Sequence, residues 1–473
     1  MISIKKTKIV ATIGPATESA EMLEKLVDAG LNVMRLNFSH GDFVEHQKRV
    51  DNIKKVMKKT GKTVAILQDL SGPKIRIGEF YQDRVNLVAG EDFMLTTGDK
   101  IIGDEHKAWV NYPTLHEELK VGGFVLLDDG KKKLEVIDIK GNEIHCKIIV
   151  GGETKGRRGV NLPGAYLKIS SITDKDRKDF EFGVKNKVDF IALSFVRRAE
   201  DVIELRGMLD KAKSKAMIIS KIETEEAIEN FDKILEVTDG IMVARGDLAI
   251  EIPAEKVPML QKMMIEKCNE VGKPVITATQ MLESMIKLPV PTRAEVSDVA
   301  NAILDGTDGI MLSEETTLGS YPVESVKVMA RVAHEIEESY PERYIGCTNP
   351  GCMTISDSIT GSVVDTAHDI GAKVIIALTE TGFTARMISR YKPEPIVLAL
   401  SPNEKTIAQL SLSWGCLPMK IEKFKSLNDV FKVVRAYCLK NKLADKGDKV
   451  VIVAGAPFGT KGVETNMMVV EKI

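Results

Sequence analysis

Polar residues follow several short apolar runs in this sequence, and their types suit phosphate, carboxylate and metal chemistry. Two carboxylates, Glu223 and Asp247, end successive runs, and Lys221 precedes Glu223 by two residues. Side chains two residues apart in a strand lie on the same side, so Lys221 and Glu223 face one way. Paired carboxylates without His or Cys suit Mg²⁺ or Mn²⁺, and an ammonium beside such a cation stabilises a phosphoryl group in transfer. The trio predicts phosphoryl-transfer chemistry, with a buried structural ion pair as the alternative.

Other strand ends carry polar side chains as well. Arg35 and Asn37 alternate onto one face of their run, where the guanidinium suits a phosphate or a carboxylate. His40 is interpreted either as a nucleotide contact or as a cap of the following helix. Further polar residues at strand ends are Ser39, Asp69, Arg245, Thr277, Thr279 and Ser313. No GxxxxGK[ST] motif and no kinase-type glycine-rich loop occurs, so a nucleotide would be held by a metal and by scattered basic residues.

The elements that position these residues are predicted from a repeating pattern of a β-branched run followed by a helical stretch. Such alternation is typical of parallel strands connected by helices, and eight units close a barrel whose active site lies at the carboxyl ends of the strands. The runs cover residues 8–14, 32–39, 63–70, 189–195, 217–223, 240–247, 274–280 and 309–315.

Two further regions depart from the barrel pattern. Residues 72–170 alternate apolar and polar positions between glycine and Asn or Asp turns, which predicts an inserted all-β lid. Strand runs that alternate with helices return after a linker near residue 341. The predicted fold class is α/β, a (β/α)8 barrel formed by 1–71 and 171–340, with a β-barrel lid at 72–170 and a C-terminal α/β domain at 341–473.

Composition excludes several classes of function. The 473 residues contain 66 Lys and Arg against 68 Asp and Glu, so a nucleic-acid-coating surface is not expected. No apolar stretch is long enough for a spanning helix, and the first residues lack signal-peptide features, which predicts a cytoplasmic protein without a membrane partner. The six cysteines are scattered and are interpreted as reduced structural thiols.

Several motifs together resemble the pyruvate kinase family. They are KIVATIGPAT, NVMRLNFSHG, GPKIR, GVNLPG, SKIE, DGIMVARGDL, ITATQMLESM, PTRAEVSDVANAILDGTDGIMLS and TNMMVV, and they run nearly from end to end. The resemblance implies transfer of a phosphoryl group from phosphoenolpyruvate to ADP, with Mg²⁺ or Mn²⁺ as cofactor. It also implies a homotetramer that a phosphorylated metabolite activates.

The resemblance also implies roles for individual residues. The implied catalytic residues are Lys221, Arg35, Thr279 and Ser313, with Lys221 as the transition-state lysine. The implied substrate-binding residues are Arg35, Gly246, Asp247 and Thr279. The implied nucleotide-binding residues are Asn37, His40, Arg76 and Arg157, and the divalent-metal ligands are Glu223 and Asp247.

The family's monovalent-cation site matches Asn37, Ser39, Asp69 and Leu70, but the sequence departs from the K⁺-activated pattern nearby. Lys74 stands where those enzymes have Glu, and Leu70 and Ser71 replace Thr and Lys. A lysine ammonium is a compact monocation like K⁺. We therefore expect Lys74 to substitute for K⁺, so that K⁺ is not required. The alternative is that Lys74 is a solvated surface lysine.

The TETGFTAR segment combines hydroxyls, a glycine and an arginine between a strand and a helix, which suits phosphate binding. The family places its effector pocket there, with Thr379, Thr381, Thr384 and Gly459 as candidates and a sugar phosphate or AMP as the ligand. The alternative is a capped helix without a ligand. Two other functions remain open from the sequence: a different metal-dependent barrel enzyme of phosphoenolpyruvate or pyruvate, or a catalytically silent metabolite sensor.

Overall fold

The computed structural model describes residues 4–340, 353–422, 426–456 and 464–473. The chain opens with three strands and two helices whose starts are fixed by side-chain oxygens. The Ser19 hydroxyl accepts the Met22 N–H at 3.2 Å, and the Asp42 carboxylate accepts the N–H groups that start the second helix. These elements are β1 (Lys8–Thr12), α1 (Ala20–Asp28), β2 (Val33–Asn37), α2 (Phe43–Thr60) and β3 (Ala65–Asp69).

The segment after β3 is nearly all β-structure. Its elements are β4 (Arg84–Leu87), β5 (Asp92–Thr96), β6 (Lys107–Trp109), α3 (Leu115–Glu118), β7 (Phe124–Leu127), β8 (Lys132–Lys140), β9 (Glu143–Val150), β10 (Gly152–Lys155) and β11 (Val160–Asn161). One sheet has the order β11-β7-β8-β9-β5-β6, and β4 pairs with β10. Inward residues such as Ile144, Cys146 and Ile148 alternate with more exposed ones and build a core separate from the barrel's.

The chain then returns to alternating helices and strands. The elements are α4 (Asp174–Asn186), β12 (Phe190–Leu193), α5 (Ala199–Lys211), β13 (Met217–Ile222), α6 (Glu225–Glu229), α7 (Phe231–Val237), β14 (Gly240–Ala244), α8 (Arg245–Glu251), α9 (Val257–Glu270), β15 (Val275–Ala278), α10 (Arg293–Leu304), β16 (Gly309–Leu312), α11 (Glu314–Thr317) and α12 (Pro322–Glu338). Short 3₁₀ helices occupy Ala254–Lys256 and Glu283–Ile286.

Eight of these strands close a parallel barrel in the order β1-β16-β15-β14-β13-β12-β3-β2. Because the strands are parallel, all their carboxyl ends meet at one rim, and the all-β insertion leaves the barrel at that rim after β3. Side chains from the strands fill the interior, joined by Leu412 from the C-terminal part of the chain. Gly309 begins β16, and a Cβ added to it would lie 3.3 Å from Leu412 Cδ1. Leu412 therefore packs against the amino end of β16, at the floor of the barrel.

The C-terminal part is an open sheet covered by helices. Its elements are α13 (Ile355–Asp369), β17 (Val374–Leu378), α14 (Phe383–Ser389), β18 (Ile396–Ser401), α15 (Glu404–Gln409), a 3₁₀ helix (Leu410–Leu412), β19 (Cys416–Lys420), α16 (Leu427–Lys440), β20 (Lys449–Ala454) and β21 (Met467–Lys472). The sheet order is β19-β18-β17-β20-β21, with only β21 antiparallel. The predicted fold class is confirmed.

Buried polar contacts attach this sheet unit to the barrel floor. Lys392 Nζ lies 3.1 Å from Asp308 Oδ1, and both side chains are buried. The same carboxylate accepts the N–H of Trp414 at 3.0 Å and the N–H of Val275, the first residue of β15, at 3.1 Å. Asp308 therefore joins the C-terminal unit to β15, whose carboxyl end lies at the opposite rim of the barrel.

The described cysteines, Cys146, Cys268, Cys416 and Cys438, are free and buried. Burial raises the pKa of the Cys416 and Cys438 thiols to about 11, so they stay protonated and unreactive. Cys347 and Cys352 lie outside the described residues. No helix in the described part of the chain is long and apolar enough to cross a membrane.

Candidate active site

A buried carboxylate, Asp69, joins two cations at the rim. Arg35 donates from Nε to Asp69 Oδ2 at 2.7 Å and from Nη1 to the Thr12 hydroxyl at 2.7 Å. The Thr12 hydroxyl donates to the carbonyl of Leu312 at 3.0 Å, which ties β1 to the end of β16. Burial alone would raise the pKa of Asp69, but Lys221 and Arg35 outweigh it and hold the pKa below its ordinary value.

Lys221 is the second cation, at the end of β13. Its Nζ lies 2.8 Å from Glu223 Oε1 and 3.4 Å from Asp69 Oδ1. It also donates to the hydroxyl of Ser194 at 2.7 Å. Burial opposes the charged form, but the Asp69 and Glu223 carboxylates raise the pKa of Lys221 above its ordinary value, so the side chain remains an ammonium.

Glu223 and Asp247 are the paired carboxylates predicted from the sequence to bind a divalent metal. Glu223 is buried, and its Oε2 accepts the Phe195 N–H at 2.6 Å. Burial raises the pKa of Glu223, Lys221 opposes that rise, and the neighbouring negative charge of Asp247 adds to it. Asp247 lies in the first turn of α8. The like charges repel, and a divalent cation between them would relieve that repulsion.

The donor set fits Mg²⁺ or Mn²⁺. Within the described ranges, no group of three or more His, Cys, Asp or Glu side chains is arranged to hold a metal ion. Two carboxylates alone leave most of an octahedron to substrate oxygens and water, which is how Mg²⁺ is usually bound in phosphoryl-transfer sites.

Thr279 follows β15 and has a left-handed backbone, with φ of 68°. That conformation is uncommon for a β-branched residue and marks a constrained turn. Its hydroxyl accepts the Gly246 N–H at 2.8 Å, and its carbonyl accepts an N–H from Arg245 Nη2 at 2.8 Å. Arg245 is held in turn by both oxygens of Asp298, at 2.6 and 2.7 Å. Gly246 and Thr279 are therefore brought together.

Ser313 follows β16, and the buried Glu315 holds its backbone. Glu315 Oε2 accepts the Ser313 N–H at 2.7 Å, and Oε1 accepts the N–H of Leu282 at 3.1 Å. Leu282 lies in the loop that begins at Thr279, so one carboxylate fixes both loops. Burial raises the pKa of Glu315.

The loop after β2 is fixed by its own polar groups. The Ser39 N–H donates to Asn37 Oδ1 at 3.1 Å, and Lys175 Nζ donates to the carbonyl of Phe38 at 2.6 Å. His40 is exposed, and the N-cap residue of α2 is Asp42. The interpretation of His40 as the cap of that helix is therefore wrong.

Leu70 and Lys74 lie on the path into the insertion. Leu70 is buried, and its carbonyl accepts the Ser194 hydroxyl at 2.7 Å. Lys74 is exposed and lines a cleft between the insertion and the barrel. Asp247 lines the same cleft, together with Glu225 and Glu251.

Arg76 and Arg157 lie next to each other in the insertion. Arg76 Nη1 donates to the carbonyl of Arg157 at 3.1 Å, and the Arg157 guanidinium pairs with Glu79, its Nε at 3.0 Å. Among the described residues, all hydrogen-bond and ion-pair partners of these two arginines belong to the insertion. The two arginines therefore contact each other and do not contact the carboxylates at the rim.

The structure adds groups that the sequence analysis missed. They are the Thr12 and Ser194 hydroxyls, the Phe195 N–H, Glu315 and Lys175. Thr12 and Ser194 lie at strand ends, in KIVAT and ALSF, and this position could have marked them as candidate site residues. Glu315 and Lys175 carried no signal in the sequence, because each fixes a site loop through a backbone group distant in sequence, the Leu282 N–H for Glu315 and the Phe38 carbonyl for Lys175.

In the C-terminal unit, the predicted effector residues have internal partners. Thr379 Oγ1 accepts the Gly382 N–H at 2.9 Å, and the buried Thr384 hydroxyl bonds the Thr465 hydroxyl at 2.8 Å. Thr381 is exposed. Gly459 lies outside the described residues.

The closed parallel barrel, the charged groups at its rim and the all-β insertion after β3 define the class: a (β/α)8-barrel enzyme with an inserted domain. The model for "Pyruvate kinase, barrel domain" matches residues 4–326, and that for "Pyruvate kinase, alpha/beta domain" matches residues 357–471. The chain belongs to the pyruvate kinase family, as the motifs predicted, and is a phosphotransferase.

Named relatives agree along nearly the whole chain. A pyruvate kinase of Clostridium perfringens is 43% identical over 99% of this chain and 100% of the relative. One of Staphylococcus saprophyticus is 47% identical over 98% of this chain and 80% of the relative. A solved pyruvate kinase from Cryptosporidium parvum matches with a TM-score of 0.93 and 38% identity, covering 99% of this chain and 96% of that one.

The burial of His46 of α2 against the loop after β2 predicts that the stability of the protein depends on pH. The buried His46 ring stacks on Phe38 at 4.0 Å, and its Nε2 lies 2.9 Å from the carbonyl of His40. Burial lowers the pKa of His46 to about 4. Since an unfolded histidine titrates near 6.5, the unfolded chain takes up a proton that the native protein refuses, and stability is lost as pH falls from about 6.5 towards 4.

Between pH 7 and pH 5 this loss amounts to about 2 kcal/mol. A His46→Phe variant, which keeps a stacking ring but cannot be protonated, is expected to lose less stability over that interval. Thermal unfolding of both proteins at the two pH values measures the difference, with exposed His106→Phe as the control. Equal pH dependence in wild type and His46→Phe would contradict the assignment.

Proposed function

We propose that this protein transfers the phosphoryl group of phosphoenolpyruvate to ADP, giving pyruvate and ATP. The observation that carries the proposal is the position of the Lys221 ammonium, 2.8 Å from Glu223 and 3.4 Å from Asp69. Asp69 in turn holds Arg35 at 2.7 Å. Two buried cations are thus fixed beside a carboxylate pair suited to a divalent metal, which is the charge pattern that a transferring phosphoryl group requires.

Each cation has a distinct task in this proposal. Arg35 binds the phosphate or the carboxylate of phosphoenolpyruvate, because a guanidinium held at Nε by Asp69 still presents N–H groups on its outer edge. Lys221 donates to the phosphoryl oxygens, where negative charge is spread during transfer. Because Lys221 remains an ammonium in a nearly buried site, its charge acts with little solvent screening.

The product side of the reaction needs a binding site for pyruvate and a proton for its enolate. We assign carboxylate binding to the backbone around Gly246 and to Thr279, which are joined by the hydrogen bond from the Gly246 N–H to the Thr279 hydroxyl at 2.8 Å. Thr279 and Ser313 lie on two loops that Glu315 fixes together. They form the polar surface along which a proton would reach the enolate carbon.

We assign the divalent metal, Mg²⁺ or Mn²⁺, to Glu223 and Asp247. When bound, the metal would neutralise charge on the substrate oxygens. The chain's own contribution is to hold Glu223 rigidly, through the Phe195 N–H at 2.6 Å and Lys221 at 2.8 Å. For ADP we assign Asn37 and His40 at the rim of the barrel and Arg76 and Arg157 in the insertion.

A coupled assay for ADP-dependent pyruvate formation tests the proposal. The wild-type protein with Mg²⁺ is expected to turn over, and removal of the metal with EDTA to abolish activity. Lys221→Met is expected to lower kcat by about 10³-fold, because it deletes the charge opposite the transferring group. Lys178→Met, which removes an exposed lysine of α4, is the matched control. No pyruvate from the wild-type protein would overturn the proposal.

We also propose that K⁺ is not required, because Lys74 supplies the positive charge near Asn37, Ser39, Asp69 and Leu70. What supports this is the place of Lys74 on the segment that leads from β3 and Leu70 into the insertion, and that Lys74 lines a cleft together with Asp247. A flexible ammonium there can follow the substrate phosphates as the lid closes.

Steady-state rates in tetramethylammonium buffer, with and without added K⁺, test this role. The wild-type rate is expected to change less than about twofold, whereas Lys74→Met is expected to become slower and to recover with K⁺. Lys120→Met is the control, since Lys120 is exposed and is not among the residues that line the cleft. Strong stimulation of the wild type by K⁺ would contradict the role of Lys74.

The TETGFTAR turn is proposed as the site of an activating phosphorylated metabolite, a sugar phosphate or AMP. Exposed Thr381 is free of a packing role, whereas Thr379 and Thr384 have buried partners. Thr381 is therefore the position at which a charge tests binding without disturbing the fold.

Activation is measured at subsaturating phosphoenolpyruvate with a panel of sugar phosphates and AMP. Thr381→Glu is expected to abolish activation by repelling the phosphate, while Thr381→Val retains part of it. Basal kcat is expected to be equal in the three proteins. Full activation of Thr381→Glu would remove this turn from the effector site.

A homotetramer is proposed as the assembly. Large apolar side chains of the barrel segment are exposed, with Met259 at 67%, Val290 at 66% and Leu318 at 68% exposure, and these positions are the candidates for contact with another subunit. The cytoplasmic location expected from the sequence stays a prediction.

A further inference from the structure

A buried hydroxyl, that of Ser194, lies between Asp69, which holds the proposed substrate-binding Arg35, and Lys221, which is proposed to act on the phosphoryl group. Ser194 follows β12, between the strands that carry Asp69 and Lys221. Its side chain is only 2% exposed. It accepts from Lys221 Nζ at 2.7 Å and donates to the carbonyl of Leu70 at 2.7 Å, with Asp69 Oδ1 at 3.3 Å.

These contacts leave the Ser194 hydroxyl one orientation. A hydroxyl has a single proton, and the Leu70 carbonyl is the nearer acceptor for it, so a lone pair is directed at Lys221. The Lys221 ammonium, by contrast, has three N–H donors on a flexible side chain, so its own geometry does not fix its orientation. Its orientation is set by the acceptors around it. Fixing the hydroxyl therefore fixes the ammonium.

The other acceptors of Lys221 have competing roles. Glu223 is assigned to the divalent metal, and Asp69 already accepts from Arg35 at 2.7 Å and lies farther from Lys221, at 3.4 Å. Ser194 is neutral, so it directs the ammonium without reducing the positive charge that the phosphoryl group meets. We propose that Ser194 is a positioning residue that aims Lys221 during phosphoryl transfer, an inference that rests on the proposed function.

Removing the hydroxyl is expected to impair the chemical step more than binding. Ser194→Ala should lower kcat by about 10- to 100-fold, as expected for a misplaced catalytic group, with KM for both substrates within about threefold of wild type. Ser194→Cys keeps the volume but offers a poor acceptor, so it should show the same pattern, and it serves if the alanine variant does not fold.

A matched control lies one residue from Lys221. Ser220 is also fully buried on β13, but its hydroxyl bonds Thr238 at 2.8 Å on the opposite side of the strand. Ser220→Ala deletes an equally buried hydroxyl and is expected to lower the unfolding temperature while leaving kcat within about twofold. Thermal unfolding of both variants shows whether a change in kcat follows from lost stability alone.

A double-mutant cycle tests whether Ser194 acts through Lys221. In a Lys221→Arg background, which keeps a charge but changes its geometry, Ser194→Ala is expected to cost less than about threefold. The proposal would be overturned if the reductions in kcat caused by the two single substitutions multiply in the double variant. It would also be overturned if Ser194→Ala has the kcat of the wild type. The unsubstituted protein is measured in parallel: absence of turnover there refutes the proposed function itself, whereas normal turnover with an unaffected Ser194→Ala refutes only the role of Ser194.

Discussion

The interaction on which the rest of the site depends is the shared contact of Asp69 with Arg35 and Lys221. Two cations lie near one another with little access to water, and the carboxylate between them offsets their repulsion. Removing one member of such a buried cluster leaves an uncompensated charge, at a cost of about 3–5 kcal/mol. The three residues come from β2, β3 and β13. Barrel closure brings them together, so the site exists only when the whole barrel is formed.

The C-terminal unit contributes to the packing of the barrel floor. Leu412 packs among the interior side chains, and the Lys392–Asp308 pair is buried where that unit meets β15 and β16. Those strands end in Thr279 and Ser313 at the opposite rim. Because closely packed interiors have low compressibility and transmit strain, contacts at the floor are connected through these strands to the loops that hold Thr279 and Ser313. The C-terminal unit is therefore part of the barrel's structure as well as a neighbouring domain.

Much of this arrangement could be predicted from the sequence, because it follows from local periodicity. The two-residue spacing put Lys221 and Glu223 on one side of their strand, and they lie 2.8 Å apart. The parallel repeat put Arg35 and Asp69 at one rim. What could not be predicted depends on three-dimensional partners without a local pattern. Leu412 looks like any apolar residue of a short helix, and Ser194 gains its role only from Lys221 and the Leu70 carbonyl.

The loop between β12 and α5 connects the lid to this chemistry. Gly72, at the entry to the lid, has φ of 64°, and a Cβ there would lie 2.9 Å from Phe195 Cδ2, so the two backbones must pack closely. At the exit from the lid, the Ser171 hydroxyl donates to the Phe195 carbonyl at 2.7 Å. Phe195 thus contacts both connections of the lid.

The same loop reaches into the site. The Phe195 N–H binds Glu223, and the preceding residue, Ser194, binds Lys221. Phe195 itself is held at φ of 54°, an uncommon conformation for an aromatic residue, so the loop has little freedom to absorb a shift. Under the proposed function, a rotation of the insertion about its two connections would therefore alter the hydrogen bonds of Glu223 and Lys221 together, because one short loop carries all of these contacts.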